Sequence, residues 1–278
     1  MDASTFFILV LIGSAAAGLL GSLTGLGGGA VLTPLLVLVL GVDLRYAIGA
    51  SLIAVIATSS GSTATYSREG FTNIRVGVVL EVATVAGALL GAFIAGLVNK
   101  TTIAIVFSGT LFWSAWITIR GTKHAVTADV TDPLASRLGL SSSYPTDTGS
   151  QSYGVVHVPW GFALMFVAGA LSALAGIGAG VVKVLAMDRL MRLPFKVSTT
   201  TSNFMMGVTA AASVGVYLHR GQIEPRICAP VVLGGLVGAM VGARLLPRIH
   251  TRWLRVIFAI VVIGAGLEMS RKAIMGGL

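Results

Sequence analysis

The sequence predicts an all-α polytopic membrane protein built as two inverted repeats of about five membrane segments each, with a glycine-broken, re-entrant or half-length helix in each repeat. Three observations predict it: a charged fraction too small for a water-facing surface, a series of apolar stretches of spanning length, and an internal repeat. Only 10% of the 278 residues are charged, against about 25% in a typical soluble domain. Hydrophobic residues make up 55% and the mean hydropathy is +0.92, so lipid must cover most of the surface. The 36 glycines suit close helix packing in a membrane. The net charge of +9 is spread singly between apolar runs. It therefore reads as topology and headgroup contacts rather than a nucleic-acid surface. Cys228 is the single cysteine, which excludes an internal disulfide and a Cys-rich metal site.

Apolar stretches run over 5–24, 29–41, 46–66, 74–98 and 102–119, and again over 159–175, 180–191, 197–218, 227–246 and 253–270. Most are long enough to cross a hydrocarbon core, which takes about 20 helical residues. The second stretch of each set is too short. The run before Val10 has no Lys or Arg, unlike a signal peptide, so the first stretch is expected to be a retained helix.

A shift of 151 positions superimposes the two sets. Gly25, Gly27 and Gly29 fall on Gly176, Gly178 and Gly180, and Arg45 falls on Lys196. Ser51 meets Ser202, Thr58 meets Thr209, Tyr66 meets Tyr217 and Phe107 meets Phe258. The chain divides into a first membrane repeat, 1–120, a polar linker, 121–158, and a second membrane repeat, 159–278. The linker is rich in Ser, Thr, Asp and Pro and is expected to be solvated. Charge orients the halves. With five crossings each they are inverted, and the basic loop residues divide twelve against six; with four they are parallel and divide nine against nine. The inverted arrangement obeys the positive-inside rule. It places the linker in the cytoplasm and both termini outside, in a multi-pass protein of the cell inner (plasma) membrane.

Four features can carry chemistry. The first is the run Leu23-Thr24-Gly25-Leu26-Gly27-Gly28-Gly29, echoed by Leu174-Ala175-Gly176-Ile177-Gly178-Ala179-Gly180. Glycine permits a non-helical break there, and such backbone is tolerated in a membrane only inside protein or along a cavity. The helix resuming after each break points free N–H groups and a positive dipole end at anions. Two such ends facing one centre recur in secondary transporters. The bland reading is close helix packing. The second feature is Lys183, three residues past Gly180 and aligned with Leu32. It either faces a central cavity as a charge for an oxyanion, or snorkels towards Asp188 and Arg189 at the interface. The third is a pair of hydroxyl-rich helices, in which Ser51, Ser202 and Asn203 are the best substrate donors, although most such hydroxyls bond their own backbone. The fourth is Glu81, aligned with Val232. It is the candidate for proton coupling, set against pairing with Arg75 near the interface, which the spacing favours. The four histidines lie outside the apolar runs and no catalytic constellation exists, which disfavours an enzyme. No cofactor or metal site is expected.

At these residues the chain resembles the TauE/SafE family of sulfite and sulfonate exporters. The resemblance rests on Gly18, Gly21, Gly25, Gly27, Gly29 and Pro34, and on Ala47-Ile48-Gly49-Ala50-Ser51-Leu52 with its partner Ser198-Thr199-Thr200-Thr201-Ser202-Asn203. It ends with Gly234-Gly235-Leu236-Val237-Gly238-Ala239-Met240-Val241-Gly242. It covers nearly the whole chain outside the linker. The second glycine motif departs from the first by one glycine fewer and by Leu185 where the first half has Pro34. The resemblance implies export of sulfur-containing anions such as sulfite, sulfoacetate or related organic acids. The expected function is therefore alternating-access export of a small anion. A proton-coupled importer, a passive anion channel and a non-transporting scaffold are the alternatives. Partners are the anion and membrane lipid, with no nucleic acid, and a homodimer is the candidate assembly.

Overall fold

The computed structural model describes residues 2–24, 27–66, 70–120, 131–146, 149–245 and 251–275. Every apolar stretch of the sequence appears as helix. The first half holds α1 (Ala3–Thr24), α2 (Gly29–Pro34) running into a π-helical turn (Leu35–Val39), α3 (Leu44–Tyr66), α4 (Ile74–Leu97) and α5 (Lys100–Arg120). After a short α6 (Pro133–Arg137) and a hairpin of β1 (Ser142–Thr146) and β2 (Gly149–Tyr153), the second half follows. It holds α7 (Val158–Ala175), α8 (Gly180–Leu185) with its own π-helical turn (Ala186–Leu190), α9 (Phe195–His219), α10 (Pro225–Leu245) and α11 (Thr251–Ile274). Among the described residues, five helices are long and apolar enough to cross a membrane by themselves, lying within α1, α3, α4, α7 and α10. The chain is thus an all-α, multi-pass membrane protein. Its lipid-facing side chains include Ile12, Val82, Phe93, Val237 and Ile260, all exposed on the bundle.

The short second segment of each half joins 6 α-helical residues to 5 π-helical ones. At ~1.5 Å per residue that is ~17 Å, about half the hydrocarbon thickness. The π turns are closed by Leu40 N–H to Leu35 O at 3.3 Å and Met191 N–H to Ala186 O at 3.0 Å. Pro34 precedes one and Leu185 the other, so proline does not cause the turn.

Helix contacts come in pairs related by the 151-residue shift. The helix α1 packs along α10 as α7 packs along α4, and α3 meets α10 as α9 meets α4. Glycine allows the close approach, because lipid gives helices no hydrophobic drive to associate and backbone contact must supply it. A Cβ on Gly18 would strike the carbonyl of Gly235, and one on Gly169 that of Thr84. Likewise Gly238 abuts Ala15 O and Gly87 abuts Phe166 O.

The bundle has two distinct ends. One gathers the starts of α3, α5 and α10 with the ends of α4, α9 and α11. There Lys100 pairs with Asp43, Arg220 donates to Ala92 O at 2.7 Å and Lys272 to Val37 O at 3.4 Å. The other gathers the starts of α4, α7 and α9 with the segment between the halves. Most of that segment's described residues are exposed, as its composition implies, but the segment is docked rather than free. Ala135, Leu140, Tyr153 and Val155 are buried and pack with Val76, Met187 and Leu193. Asn73, which caps α4 by accepting from Val76 N–H at 3.1 Å, donates to Leu140 O at 2.9 Å and to the Tyr153 hydroxyl at 2.8 Å. A few apolar residues placed in register by the hairpin suffice to dock an otherwise polar segment, and average composition hides them.

Candidate functional site

The candidate site is built around the two helix breaks, which meet. Gly25 lies outside the described residues. Gly27 and Gly28 have φ of +78° and +61°, and Gly176 and Gly178 have +66° and +78°. This left-handed backbone is open to glycine without steric cost. Ala179 adopts it as well, at +44°, so the second break retains strain that the first, with Gly28 there, avoids. A Cβ on Gly29 would meet Gly176 O, so the two breaks touch backbone to backbone.

At the centre of that contact stand Val55 of α3 and Met206 of α9. Each faces both Gly27 and Gly178, and the two are themselves related by the 151-residue shift. The meeting point is therefore apolar and filled. In the first half, Gly29 N–H turns back to Gly27 O at 2.5 Å, and Val31 N–H to Gly28 O at 3.1 Å. Two of the three N–H groups that precede the first regular bond of α2 are thus already used. The anion cradle expected from backbone alone is reduced there, because the tight turn satisfies its own donors.

Polar chemistry lies to one side, in the second half. Lys183 on α8 is wholly enclosed and neither snorkels nor reaches the interface. Its Nζ donates to Thr209 Oγ1 on α9 at 2.5 Å. Thr209 Oγ1 in turn donates to Glu81 Oε1 on α4 at 2.6 Å. Met205 O also lies 2.9 Å from that hydroxyl; the one proton favours the carboxylate, since hydrogen bonds to ionised acceptors are about twice as strong. The second carboxylate oxygen, Oε2, is buried and accepts no hydrogen bond. Thr84 nearby keeps its hydroxyl on Leu80 O at 2.7 Å.

This corrects the interfacial reading of Glu81. Arg75 instead reaches Gly139 O at 3.3 Å, at the end of the bundle, while Glu81 is buried with 7% exposure. The Asn73 cap fixes where α4 begins, and two turns of helix carry position 81 inward. There α9 and α8 face it.

The remaining expected residues divide in two. Ser51 accepts from Thr33 Oγ1 at 2.7 Å, and Ser202 donates to Gly180 O at 3.4 Å. Each serine ties its long helix to the short helix after a break. Asn203 differs: its side chain is buried and its Nδ2 has no partner, while its carbonyl accepts from Ser59 Oγ. It lies between Ser202, which reaches Gly180, and Met206, which touches Gly178. Thr209 was visible in the sequence only as one hydroxyl among many, and Val55 and Met206 as ordinary apolar residues.

Two halves in contact through broken helices, with an enclosed lysine beside the break, form the candidate site. The chain is 27% identical to a probable membrane transporter protein, YunE, of Bacillus subtilis (strain 168), over 97% of this chain and 99% of that protein. It is 26% identical to a probable membrane transporter protein of Xylella fastidiosa (strain 9a5c), over 94% of each. A second B. subtilis protein named in the same way, YjnA, is 26% identical over 94% of this chain and 98% of its own length. No solved structure matches the chain. The names of these relatives indicate a membrane transporter rather than an enzyme. The model of the family described as Sulfite exporter TauE/SafE matches residues 9–269, and the chain therefore belongs to the TauE/SafE family of membrane transporters.

Proposed function

We propose that the protein exports small sulfur-containing or organic anions, of the sulfite, sulfonate or sulfoacetate kind, by alternating access between two inverted repeats. The observation that carries this reading is Lys183, a cation enclosed in the bundle beside the junction of the two breaks. An ionisable group at that depth is costly, about 2.5–3.5 kcal/mol on insertion scales, and such groups mark ion or substrate pathways. Asn203 supplies a neutral donor without a partner on the neighbouring helix.

Inversion is supported by the bundle's two ends. The first half begins α3 where the second half ends α9, as the bond from Arg220 at the end of α9 to Ala92 on α4 and the Asp43–Lys100 pair indicate. On this reading the end holding the segment between the halves, with its basic excess, faces the cytoplasm. Each short segment, with the broken backbone before it, serves as the second crossing of its repeat, and each repeat rocks against the other about the apolar centre of Val55 and Met206. Export suits an anion, because an inside-negative potential of about 100 mV drives each negative charge outward by ~2.3 kcal/mol.

The test is efflux of radiolabelled sulfite and sulfoacetate from proteoliposomes. Saturable efflux, with counterflow when unlabelled anion is added outside, is expected. Efflux that never saturates and shows no counterflow would replace the carrier with a channel. No flux of any anion would leave a scaffold.

A further inference from the structure

We infer that the transported anion and Glu81 compete for Lys183, so that each anion bound brings one proton onto Glu81. This deepens the function proposed above and rests on the anion site at Lys183. The chain Lys183–Thr209–Glu81 joins three helices from both halves, at 2.5 Å and 2.6 Å. In this arrangement the ammonium and the carboxylate neutralise each other through one hydroxyl. The other helix packed along α4 here, α7, has no charged residue in its length. The charged and titratable residues of α9, Lys196, Tyr217 and His219, lie near its two ends, and the Tyr217 hydroxyl donates to Ala173 O at 2.8 Å. On the short segment that carries Lys183, Asp188 and Arg189 lie beyond it in the π turn. Among the described residues, Lys183 is thus the positive charge placed to balance Glu81.

Removing one partner of a buried ion pair leaves an uncompensated charge, which is far more costly than the pair. An anion that takes Lys183 as its counterion removes Glu81's partner. The carboxylate then has one inexpensive state, the neutral acid, and Oε2, buried and without a hydrogen bond, is the oxygen free to take the proton. The charge balance closes in both states. Without substrate, Lys⁺ and Glu⁻ are paired. With substrate, Lys⁺ holds the anion and Glu81 is protonated. The empty carrier returns across the membrane without a net buried charge. A monoanion travels with its proton as a neutral unit and so leaves on its own concentration gradient, without the drive of the membrane potential, whereas a dianion travels with one net negative charge and keeps that outward drive.

The experiment uses the purified full chain with sulfoacetate, sulfite and methanesulfonate as probes. Binding is read by thermal shift, and proton uptake by a pH indicator in weak buffer for the two probes already fully ionised at pH 7. The expected result is uptake of one proton per anion bound, with affinity falling tenfold per pH unit over the range in which Glu81 is ionised in the free protein. Lys183→Met/Glu81→Gln, which removes both charges without stranding either, is expected to show neither stabilisation by the probes nor proton uptake. Should that variant fail to fold, the wild-type proton count and pH slope decide alone. Stabilisation by an anion without proton uptake and without a pH slope would overturn the exchange while leaving the anion site standing. Stabilisation by none of the three probes would overturn both.

Discussion

The two helix breaks share a scaffold and differ in chemistry. Around the first, position 32 is Leu, position 58 is Thr bonded to its own helix at Val55 O (3.2 Å), and position 232 is Val. At the equivalent places around the second stand Lys183, Thr209 and Glu81, joined in one buried chain. The frame, with its left-handed glycines, π turns and serine ties, is common to both halves. The charge is not. Symmetry thus accounts for how a break is held open in a membrane, and asymmetry for what the site selects. A duplicated scaffold needs only one charged copy, because the breaks meet at a common centre.

The largest expected effect comes from unbalancing the charged copy. Lys183→Met leaves Glu81 buried without its cation and should destabilise the protein by about 3–5 kcal/mol. Adding Glu81→Gln should recover most of that loss in a double-mutant cycle read by thermal unfolding. The reverse transplant, Leu32→Lys, should cost about 2.5–3.5 kcal/mol, and Val232→Glu added to it should recover part. If Lys183→Met were harmless while Leu32→Lys was not, the pairing with Glu81 would carry no energy.

The hydroxyls come next. Thr209→Val removes the bridge between two buried charges and should cost about 1–3 kcal/mol, whereas Thr58→Val removes one bond to its own helix and should cost about 1 kcal/mol or less. Equal losses would show that Thr209 is an ordinary helix hydroxyl.

The smallest effect lies outside the membrane. Partial burial of Asp43 opposes its ionisation. The hydrogen bond from Lys100, the Arg45 N–H and the two positive charges outweigh it and hold its carboxyl below the ordinary range. A depressed carboxylate stabilises the folded state at neutral pH and loses that contribution as the pH falls through and below the ordinary aspartate range. The pair is partly exposed, with 35% and 38% of the two side chains accessible, so Asp43→Asn should cost at most ~1 kcal/mol at pH 7.

Much of this was legible in the sequence. The ten apolar stretches, the offset of 151 and both break positions could be read, because glycine runs and spanning lengths are local signals. Lys183 could be read as a candidate intramembrane charge, whereas the spacing of Glu81 favoured a pair with Arg75 at the interface. Their connection could not be read. The two are far apart in sequence and lie in different halves, and neither has a charged counterpart at Leu32 or Val232 to reveal it. Thr209 was hidden among neighbouring hydroxyls that bond their own backbone. The docked hairpin escaped notice because Leu140, Tyr153 and Val155 are few within a polar segment. The Val55–Met206 contact escaped because an apolar residue in a membrane helix carries no signal of which surface it faces.

The most direct test of the anion site is thermal unfolding of the wild type beside the double variant Lys183→Met/Glu81→Gln, with sulfite, sulfonates, sulfate, carboxylates and chloride. The double variant removes the charge while leaving no partner stranded. An anion at 100 times its Kd should stabilise the wild type by about 2.7 kcal/mol and leave the double variant unmoved. Equal stabilisation of both, or of neither, would contradict an anion site at Lys183.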